Sequence, residues 1–119
     1  MSLWVIKEGG GWLTVFVVET YVVKPGKEGE LMSLLQRMRE YKKENPEQFR
    51  EMKSKRIFSQ LFGGISGGYI ELNEFNSMAD AEKYDAKMFK DEGFMKLYQE
   101  AIQLLVPATY SLNVWKAVE

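Results

Sequence analysis

Four segments of the chain have the apolar and polar pattern of β-strands. Residues 12–24 are β-branched and aromatic almost throughout, whereas residues 55–62 and 69–75 alternate in polarity on either side of a glycine-rich stretch. These patterns predict a long first strand and, later in the chain, a hairpin of two strands. The apolar run of residues 108–115 predicts a fourth strand.

Two further segments place their apolar residues at helical spacing. The first should end at Pro46, and a short further turn is predicted over residues 46–52. The second begins at Ser77, a favourable N-cap, and is interrupted at Gly93. The order strand, helix, strand, strand, helix, strand predicts an α+β fold of the ferredoxin-like βαββαβ type, with a four-stranded antiparallel sheet.

The character of the strand faces predicts which side of the sheet the helices cover. The purely aliphatic positions are the natural helix-facing set, and they are Ile57, Leu61, Ile70, Leu72, Leu112 and Val114. The opposite face then carries aromatic and polar side chains, namely Phe58, Gln60, Phe62, Tyr69, Glu71, Asn73, Phe75, Thr109, Ser111, Asn113 and Trp115. Glu19 and Tyr21 of the first strand join this mixed face by their matching character.

A face of this kind is too apolar to meet water in a monomer. Large exposed apolar patches generally mark an interface or a ligand cleft. We therefore expect a homodimer in which the open sheet faces of two copies meet and form a dimeric α+β barrel. The alternatives are a wrong face assignment in one strand, or a cover provided by a loop or by the N-terminal segment around Trp4.

Length and charge limit the domain number and the partners. The chain has 119 residues, 45% of them apolar, which suffices for one domain over residues 1–119, with residues 1–11 as a candidate N-terminal extension. Its formal charge of −1 provides no basic field, so no nucleic-acid partner is expected. The apolar run of residues 3–6 is too short for a signal peptide or a membrane span, so we expect a cytoplasmic protein that does not bind membranes.

The chain contains neither cysteine nor histidine. Disulfides, thiolate nucleophiles and thiolate metal sites are therefore excluded. The commonest metal ligand, the usual proximal haem ligand and the usual general base at neutral pH are missing as well. We expect no metal and no cofactor, and any catalysis would depend on carboxylates, phenols, amides and the remaining polar side chains.

Two segments carry a resemblance to a known superfamily. They are residues 19–27, Glu-Thr-Tyr-Val-Val-Lys-Pro-Gly-Lys, and residues 71–75 followed by residues 77–80, Ser-Met-Ala-Asp. From Trp12 onward the chain resembles, in its order of elements, the dimeric α+β barrel superfamily, particularly NIPSNAP-like proteins and the antibiotic biosynthesis monooxygenase-like group. The resemblance implies a pocket between the helices and the sheet or inside the barrel.

Members of that superfamily include cofactor-independent oxygenases, haem-degrading enzymes, small isomerases and many proteins of unknown role, so the resemblance supports the fold more than a function. The haem-degrading members rely on a histidine in the second helical region, where this chain has residues such as Tyr84, Ala86 and Lys87, so haem degradation is not expected. The cofactor-independent oxygenases are thought to use Asn, Trp, Tyr and Arg in the pocket. This chain offers Asn73, Asn113, Trp115, Tyr21, Tyr69 and Arg56.

Glu19 and Glu71 are the candidate catalytic residues. If they share a semi-enclosed face, burial and mutual repulsion make one of them a stronger base and hence a proton acceptor. The alternative is structural, with Arg56 of the neighbouring strand pairing with one glutamate and fixing the dimer register.

The candidate ligand-binding residues combine aromatic area with polar groups, which suits a small aromatic ligand. They are Tyr21, Arg56, Phe58, Tyr69, Asn73, Asn113 and Trp115. The alternative is that they fill a dimer interface.

Three functions stay open. The first is an uncharacterised small-molecule-binding dimer of the NIPSNAP-like kind. The second is a cofactor-independent monooxygenase or isomerase acting on an aromatic or polyketide-like substrate, and the third is a purely structural dimerisation module. A buried basic glutamate beside an open cavity favours the enzyme, an open cavity without one favours the binder, and a filled interior favours the structural module.

Overall fold

The computed structural model describes residues 14–119. The strands are β1 Val15–Val22, β2 Met52–Ser59, β3 Gly68–Phe75 and β4 Ser111–Lys116. The helices are α1 Glu28–Glu44, α2 Met78–Lys90 and α3 Glu92–Gln103, and Pro46–Phe49 forms the predicted short turn as a 3-10 helix. The candidate extension, residues 1–11, lies outside the described residues.

The four strands form one antiparallel sheet in the order β2-β3-β1-β4. The first and third strands in sequence are therefore central, and the second and fourth lie at the edges. This is the strand order of the ferredoxin-like βαββαβ fold, so the predicted fold class is confirmed.

The second predicted helix is two helices joined at Asp91. Ser77 caps α2 as predicted, because its Oγ accepts the Asp80 backbone N–H at 3.1 Å. The break comes two residues before the predicted position at Gly93, since Asp91 is extended and its carboxylate accepts the Phe94 N–H at 3.0 Å. The side chain of Asp91 therefore caps α3.

The strand β2 begins and ends earlier than predicted. A register shift between Met52 and Ser54 in the pairing with β3 lets the strand start at Met52. The backbone hydrogen bond from Gln60 N–H to the Gly68 carbonyl, 2.8 Å, closes the hairpin loop. Leu61 was predicted in a strand facing the helices, but it lies in this loop and is 92% exposed.

Two apolar clusters form the core between the sheet and the helices. One contains Tyr21, Val23, Leu31, Leu34, Leu104 and Leu105, with partly buried residues of α3 packed against it. The other contains Val15, Met52, Phe75 and Ala81. Since α1 and α3 pack on the first cluster and α2 contributes to the second, the three helices lie on the same side of the sheet.

The helix-covered side carries the polar residues of β1 and β3, contrary to the prediction. Tyr21 packs in the cluster of Leu31 and Leu34, and the rings of Phe75 and Tyr84 lie 5.3 Å apart. Directly opposed residues of antiparallel strands point to the same side. The opposed pairs on the helix side are Tyr21 with Tyr69, Glu19 with Glu71, Val17 with Asn73 and Val15 with Phe75.

The aliphatic residues of β3, Ile70 and Leu72, point to the other side of the sheet. The prediction holds for Ile57, Leu112 and Val114, which are opposed to helix-side residues. It failed in β3 because it assumed that helices cover the more aliphatic side. Buried polar groups are tolerated where they satisfy one another's hydrogen bonds, and this is the case here.

Candidate functional site

Six polar side chains on the helix side of the sheet form one hydrogen-bonded set, here called the polar network. They are Glu19 and Tyr21 of β1, Lys55 of β2, Glu71 and Asn73 of β3, and Tyr110, which directly precedes β4. Glu71 and Asn73 are buried, with 9% and 3% of their surface exposed. The sheet brings these residues together because β3 and β1 are its central strands.

Glu71 occupies the centre of one half of the polar network. The Tyr21 hydroxyl donates to Glu71 Oε2 at 2.5 Å, and Lys55 Nζ donates to Glu71 Oε1 at 2.8 Å. Lys55 Nζ also donates to Asn73 Oδ1 at 2.9 Å. The ring of Tyr69 stacks on Tyr21 with 5.7 Å between centroids and 4° between planes, which fixes the phenol that faces Glu71.

Glu19 occupies the centre of the other half. Asn73 Nδ2 donates to Glu19 Oε2 at 2.9 Å and to the Val17 carbonyl at 3.0 Å. The Tyr110 hydroxyl donates to Glu19 Oε1 at 2.7 Å. Each of the four carboxylate oxygens of the polar network therefore accepts one hydrogen bond.

The polar network separates the two apolar clusters of the core. Along β1, Val15 belongs to one cluster and Tyr21 to the other, and Glu19 lies between them. With Glu19 and Glu71 ionised and Lys55 protonated, the network carries a formal charge of −1. A negative, partly enclosed region thus interrupts an otherwise apolar layer.

The phenols around the network are held in their neutral form. Burial, reinforced by the charges of Glu71 and Glu19, raises the pKa of Tyr21 well above its ordinary value. Burial and the same two carboxylates raise the pKa of Tyr84, and burial with the hydrogen bond to Glu19 raises that of Tyr110. These hydroxyls are therefore donors over the physiological pH range and are poor proton acceptors.

One shallow groove reaches the polar network. It has a volume of about 300 Å³ and is lined by Lys24, Ile102, Gln103, Leu105, Val106, Pro107, Ala108 and Tyr110. We call it the Tyr110 groove, because Tyr110 lines it and also donates to Glu19. A second groove of about 460 Å³ lies at the end of α1 and is lined by Arg39, Lys42, Lys43, Pro46 and Phe49.

The predicted site residues fall on two sides of the sheet. Glu19, Tyr21, Tyr69, Glu71 and Asn73 lie together on the helix side, as the pairing of β1 with β3 requires. The other four candidates, Arg56, Phe58, Asn113 and Trp115, lie on the opposite side, because they are opposed to Leu72, Ile70, Val18 and Phe16. The nine residues therefore do not form a single site.

The predicted ion pair of Arg56 with a glutamate is wrong. Arg56 faces away from the carboxylates, and its guanidinium lies over the Phe58 ring, 5.0 Å from the centroid. Its neighbour Lys55 takes the ion pair with Glu71 instead. The physical reason is the two-residue period of the strand, which places Lys55 with Ile57 on the helix side.

Sequence reasoning missed three residues that surround the carboxylates, namely Lys55, Tyr84 and Tyr110. Lys55 shares the parity of Ile57, and Tyr110 shares that of Leu112, so both lay on a face that had been assigned to the helices. The parity was a usable signal for these two. For Tyr84 the available signal was its helical spacing. That spacing indicated a buried position but did not indicate that carboxylates lie nearby.

The side of the sheet away from the helices is here called the open face. It comprises Phe16, Val18, Thr20, Val22, Arg56, Phe58, Ile70, Leu72, Glu74, Ser111, Asn113 and Trp115. Most of its central side chains are aliphatic or aromatic, and Trp115 is 62% exposed. An exposed apolar face therefore exists, but its composition differs from the prediction. Phe58 and Trp115 belong to it, whereas Tyr69 and Phe75 lie on the helix side and Phe62 lies in the hairpin loop.

Among residues 14–119, no three acidic side chains cluster closely enough to hold a metal ion. Within the same residues, none of the helices has the length and apolar character needed to cross a bilayer.

The sequence matches no protein-family model and no curated protein. Several solved structures resemble the fold. A putative antibiotic biosynthesis monooxygenase from Caulobacter crescentus has a TM-score of 0.70 at 16% identity, with 92% of this chain and 94% of that chain covered. A NIPSNAP family protein of unknown function from Agrobacterium tumefaciens has a TM-score of 0.68 at 13% identity, with 89% of each chain covered.

A mutant of a cofactor-independent oxygenase from Streptomyces nogalater has a TM-score of 0.64 at 13% identity, with 89% of this chain and 94% of that chain covered. Identities this low establish a common fold and no common chemistry. The resemblance drawn from the sequence is confirmed at that level. The chain has a ferredoxin-like α+β fold, and solved structures of NIPSNAP family proteins and of a putative antibiotic biosynthesis monooxygenase resemble that fold.

Proposed function

We propose that the chain binds a small planar molecule at the polar network, between the sheet and the helices. The observation that carries this proposal is the placement of Glu19, Glu71, Asn73 and Lys55 in the layer between two apolar clusters. Burying such groups costs free energy that an aliphatic layer would not cost. The aliphatic residues Ile70 and Leu72 point to the open face instead, so packing alone does not account for the arrangement.

A binding role fits the carboxylates better than a catalytic one. Each oxygen of Glu19 and Glu71 already accepts a hydrogen bond from Tyr21, Lys55, Asn73 or Tyr110. A substrate proton could reach one of these oxygens only if an existing hydrogen bond were first given up. Fixed carboxylates and phenols are well suited to orient hydroxyl groups of a ligand.

The proposal is tested by thermal unfolding in the presence of planar hydroxyaromatic probes such as 2-naphthol and 1,8-dihydroxyanthraquinone. A ligand that binds the native state raises the unfolding temperature in a saturable way. We expect this for the wild type and a loss of the shift in Glu71→Gln. Glu74→Gln is the matched control, because Glu74 lies three residues further along β3 on the open face, where it accepts a hydrogen bond from Ser54.

A shift of equal size in Glu71→Gln would contradict binding at the network. If the free wild type is folded and unfolds cooperatively but no planar probe raises its unfolding temperature, the purely structural module is favoured.

A cofactor-independent monooxygenase or isomerase acting on an aromatic or polyketide-like substrate is the second candidate. The contact of Tyr110 with Glu19 at the groove supports it, because a substrate that displaced the phenol would leave Glu19 free to accept a proton. Oxygen uptake or a change in the probe spectrum with wild type, lost in Glu19→Gln, would establish this activity. If the probes bind but are recovered chemically unchanged, the oxygenase or isomerase activity is excluded for those compounds.

We further propose that the open face pairs with the open face of a second copy. Phe16, Val18, Ile70, Leu72 and Trp115 would otherwise present a continuous apolar surface to water. A symmetric dimer covers this surface with an identical one.

Sedimentation velocity tests the pairing. We expect a dimer for the wild type and a monomer for Leu72→Lys, whereas Met32→Lys on the exposed surface of α1 should stay dimeric. A monomeric wild type at concentrations of about 100 μM would contradict the pairing.

A further inference from the structure

The Tyr110 groove has one cation and no acidic side chain among its lining residues. Lys24 supplies the charge, Gln103 supplies an amide, and the other walls are aliphatic apart from Tyr110. A volume of about 300 Å³ is at the lower end of the range for small-molecule sites and is suited to a molecule of one or two rings. The groove is therefore matched in charge and size to a small anion with an apolar body.

The backbone around Lys24 is held firmly against the chain that follows α3. Lys24 N–H donates to the Leu104 carbonyl at 2.8 Å, and Val106 N–H donates to the Val22 carbonyl at 2.8 Å. The Val22 N–H in turn donates to Thr109 Oγ1 at 3.1 Å. These bonds tie β1 to the segment that forms the opposite wall, so the groove is a preformed feature of the fold.

Lys24 has no partner in any of the ion pairs between described residues. Its neighbour Lys27 differs, because Lys27 Nζ lies 2.8 Å from Glu30 Oε2. Lys24 is a partly exposed residue that lines the groove and takes part in no ion pair among residues 14–119, so it can bind an anionic group without giving up an existing pair.

The groove lining is not uniform in charge. Behind Tyr110 lies Glu19, which accepts the Tyr110 hydroxyl at 2.7 Å, and Glu71 lies opposite Glu19 on the next strand. An anionic group is repelled by these carboxylates and attracted toward Lys24. The Tyr110 oxygen donates to Glu19 and keeps a lone pair, which can accept a hydrogen bond from a ligand hydroxyl.

We propose that the Tyr110 groove is the outer part of the ligand site and selects planar carboxylates, with Lys24 binding the carboxylate and Tyr110 accepting a hydroxyl at the far end of the ring system. This inference rests on the proposed binding function and adds the ligand class and two specificity-determining residues. The aliphatic walls formed by Leu105, Val106 and Pro107 contact the flat body of the ligand.

The test is a calorimetric titration with 6-hydroxy-2-naphthoate and with 2-naphthol, which lacks the carboxylate. We expect the wild type to bind the hydroxynaphthoate about tenfold more tightly, the effect of one charge-assisted hydrogen bond in a half-buried groove. Lys24→Gln should abolish this preference while leaving the affinity for 2-naphthol unchanged. Lys27→Gln, three residues away and paired with Glu30, is the control and should keep the preference.

Tyr110→Phe tests the other end, and it should reduce the affinity for 6-hydroxy-2-naphthoate to that for 2-naphthoate, which lacks the hydroxyl. The inference is overturned if Lys24→Gln retains the carboxylate preference, or if the wild type shows none. In both cases the proposed function stands as long as binding of 2-naphthol is lost in Glu71→Gln. Absence of saturable binding of every probe to the folded wild type overturns both proposals together.

Discussion

The hydroxyl of Tyr21 donates a hydrogen bond of 2.5 Å to Glu71 across the two central strands of the sheet. Both residues are buried, so water cannot fully replace either one as the hydrogen-bond partner of the other. The stacked ring of Tyr69 limits the positions that the Tyr21 phenol can take. This bond therefore ties the stability of the fold to the geometry of the candidate site.

Tyr21→Phe should lower the free energy of unfolding by about 1.5–3 kcal/mol, the usual effect of losing a hydrogen bond to a charged group. The apolar ring keeps its packing, so the loss comes from the carboxylate that is left with one donor fewer. Urea denaturation measures the change. Tyr69→Phe is the control, and it should change stability by less than about 0.5 kcal/mol; equal losses in both variants would contradict the role of the Tyr21 hydroxyl.

The stability of the protein should fall at alkaline pH. The hydrogen bond to Asp91 raises the pKa of Tyr41 to about 12, and burial raises that of Tyr21, Tyr84 and Tyr110. The native state then binds more protons than the unfolded state above the ordinary tyrosine value near 10. The stabilisation is fully present below about pH 10 and is lost as the pH rises through the folded-state values.

A titration to alkaline pH tests this prediction. Absorbance at the tyrosinate band follows the ionisation of the phenols, and circular dichroism follows the loss of helix in the same samples. We expect the buried phenols to ionise only as the helical signal disappears. Ionisation of all six tyrosines near pH 10, with the fold intact, would contradict the burial of the network.

Gly93→Ala should destabilise the junction of α2 and α3. A Cβ at residue 93 would lie 2.7 Å from the Tyr41 hydroxyl oxygen, so Tyr41 would have to leave Asp91, which it contacts through a hydrogen bond. Steric insertion of this kind costs about 1–3 kcal/mol. Thermal unfolding measures the loss.

Gly29→Ala is the matched control for the helical context. An added Cβ at Gly29 in α1 meets nothing within 4 Å, so this substitution should be neutral or stabilise by up to about 1 kcal/mol. A loss of similar size in both variants would show that the contact with Tyr41 is unimportant.

Ala108→Gly should stabilise the loop before β4. Ala108 has φ of 67°, in the left-handed region, and it follows Pro107 in a turn closed by the Thr109 N–H to the Val106 carbonyl. Glycine removes a steric cost of about 1–2 kcal/mol and adds a smaller entropic cost in the unfolded state. A net gain of up to about 1 kcal/mol in urea denaturation is expected, and a loss would contradict the strain.

The fold was predictable because periodicity and capping are local properties. The alternation over residues 69–75 and the N-cap at Ser77 appear in the structure with boundaries shifted by at most one residue. The orientation of β3 was not predictable in this way. Choosing between Glu71 and Leu72 as the buried residue required knowledge of Lys55 and Tyr21, which satisfy Glu71 from two other strands.

Four of the six residues of the polar network were predicted from the sequence, namely Glu19, Tyr21, Glu71 and Asn73. Glu19 and Glu71 were placed on one face because Glu71 belongs to the mixed aromatic and polar set and Glu19 matches the character of that set, and the structure brings them opposite each other. Tyr110 was missed because its role depends on a contact with a residue 91 positions earlier in the chain. The parity of Tyr110 with Leu112 indicated its side of the sheet, but the contact with Glu19 is set by topology.

The central claim is that ligands bind on the helix side of the sheet, and two asparagine side chains report on it directly. Asn73 Nδ2 donates to Glu19 within the polar network, whereas Asn113 Nδ2 lies on the open face near Ser111. Their side-chain amide resonances can be followed in ¹H–¹⁵N NMR spectra during titration with 6-hydroxy-2-naphthoate, with Asn73→Ser and Asn113→Ser providing the assignments. We predict a saturable shift of the Asn73 amide and a constant Asn113 amide; the reverse pattern, or two amides that never move at saturating probe, would contradict the claim.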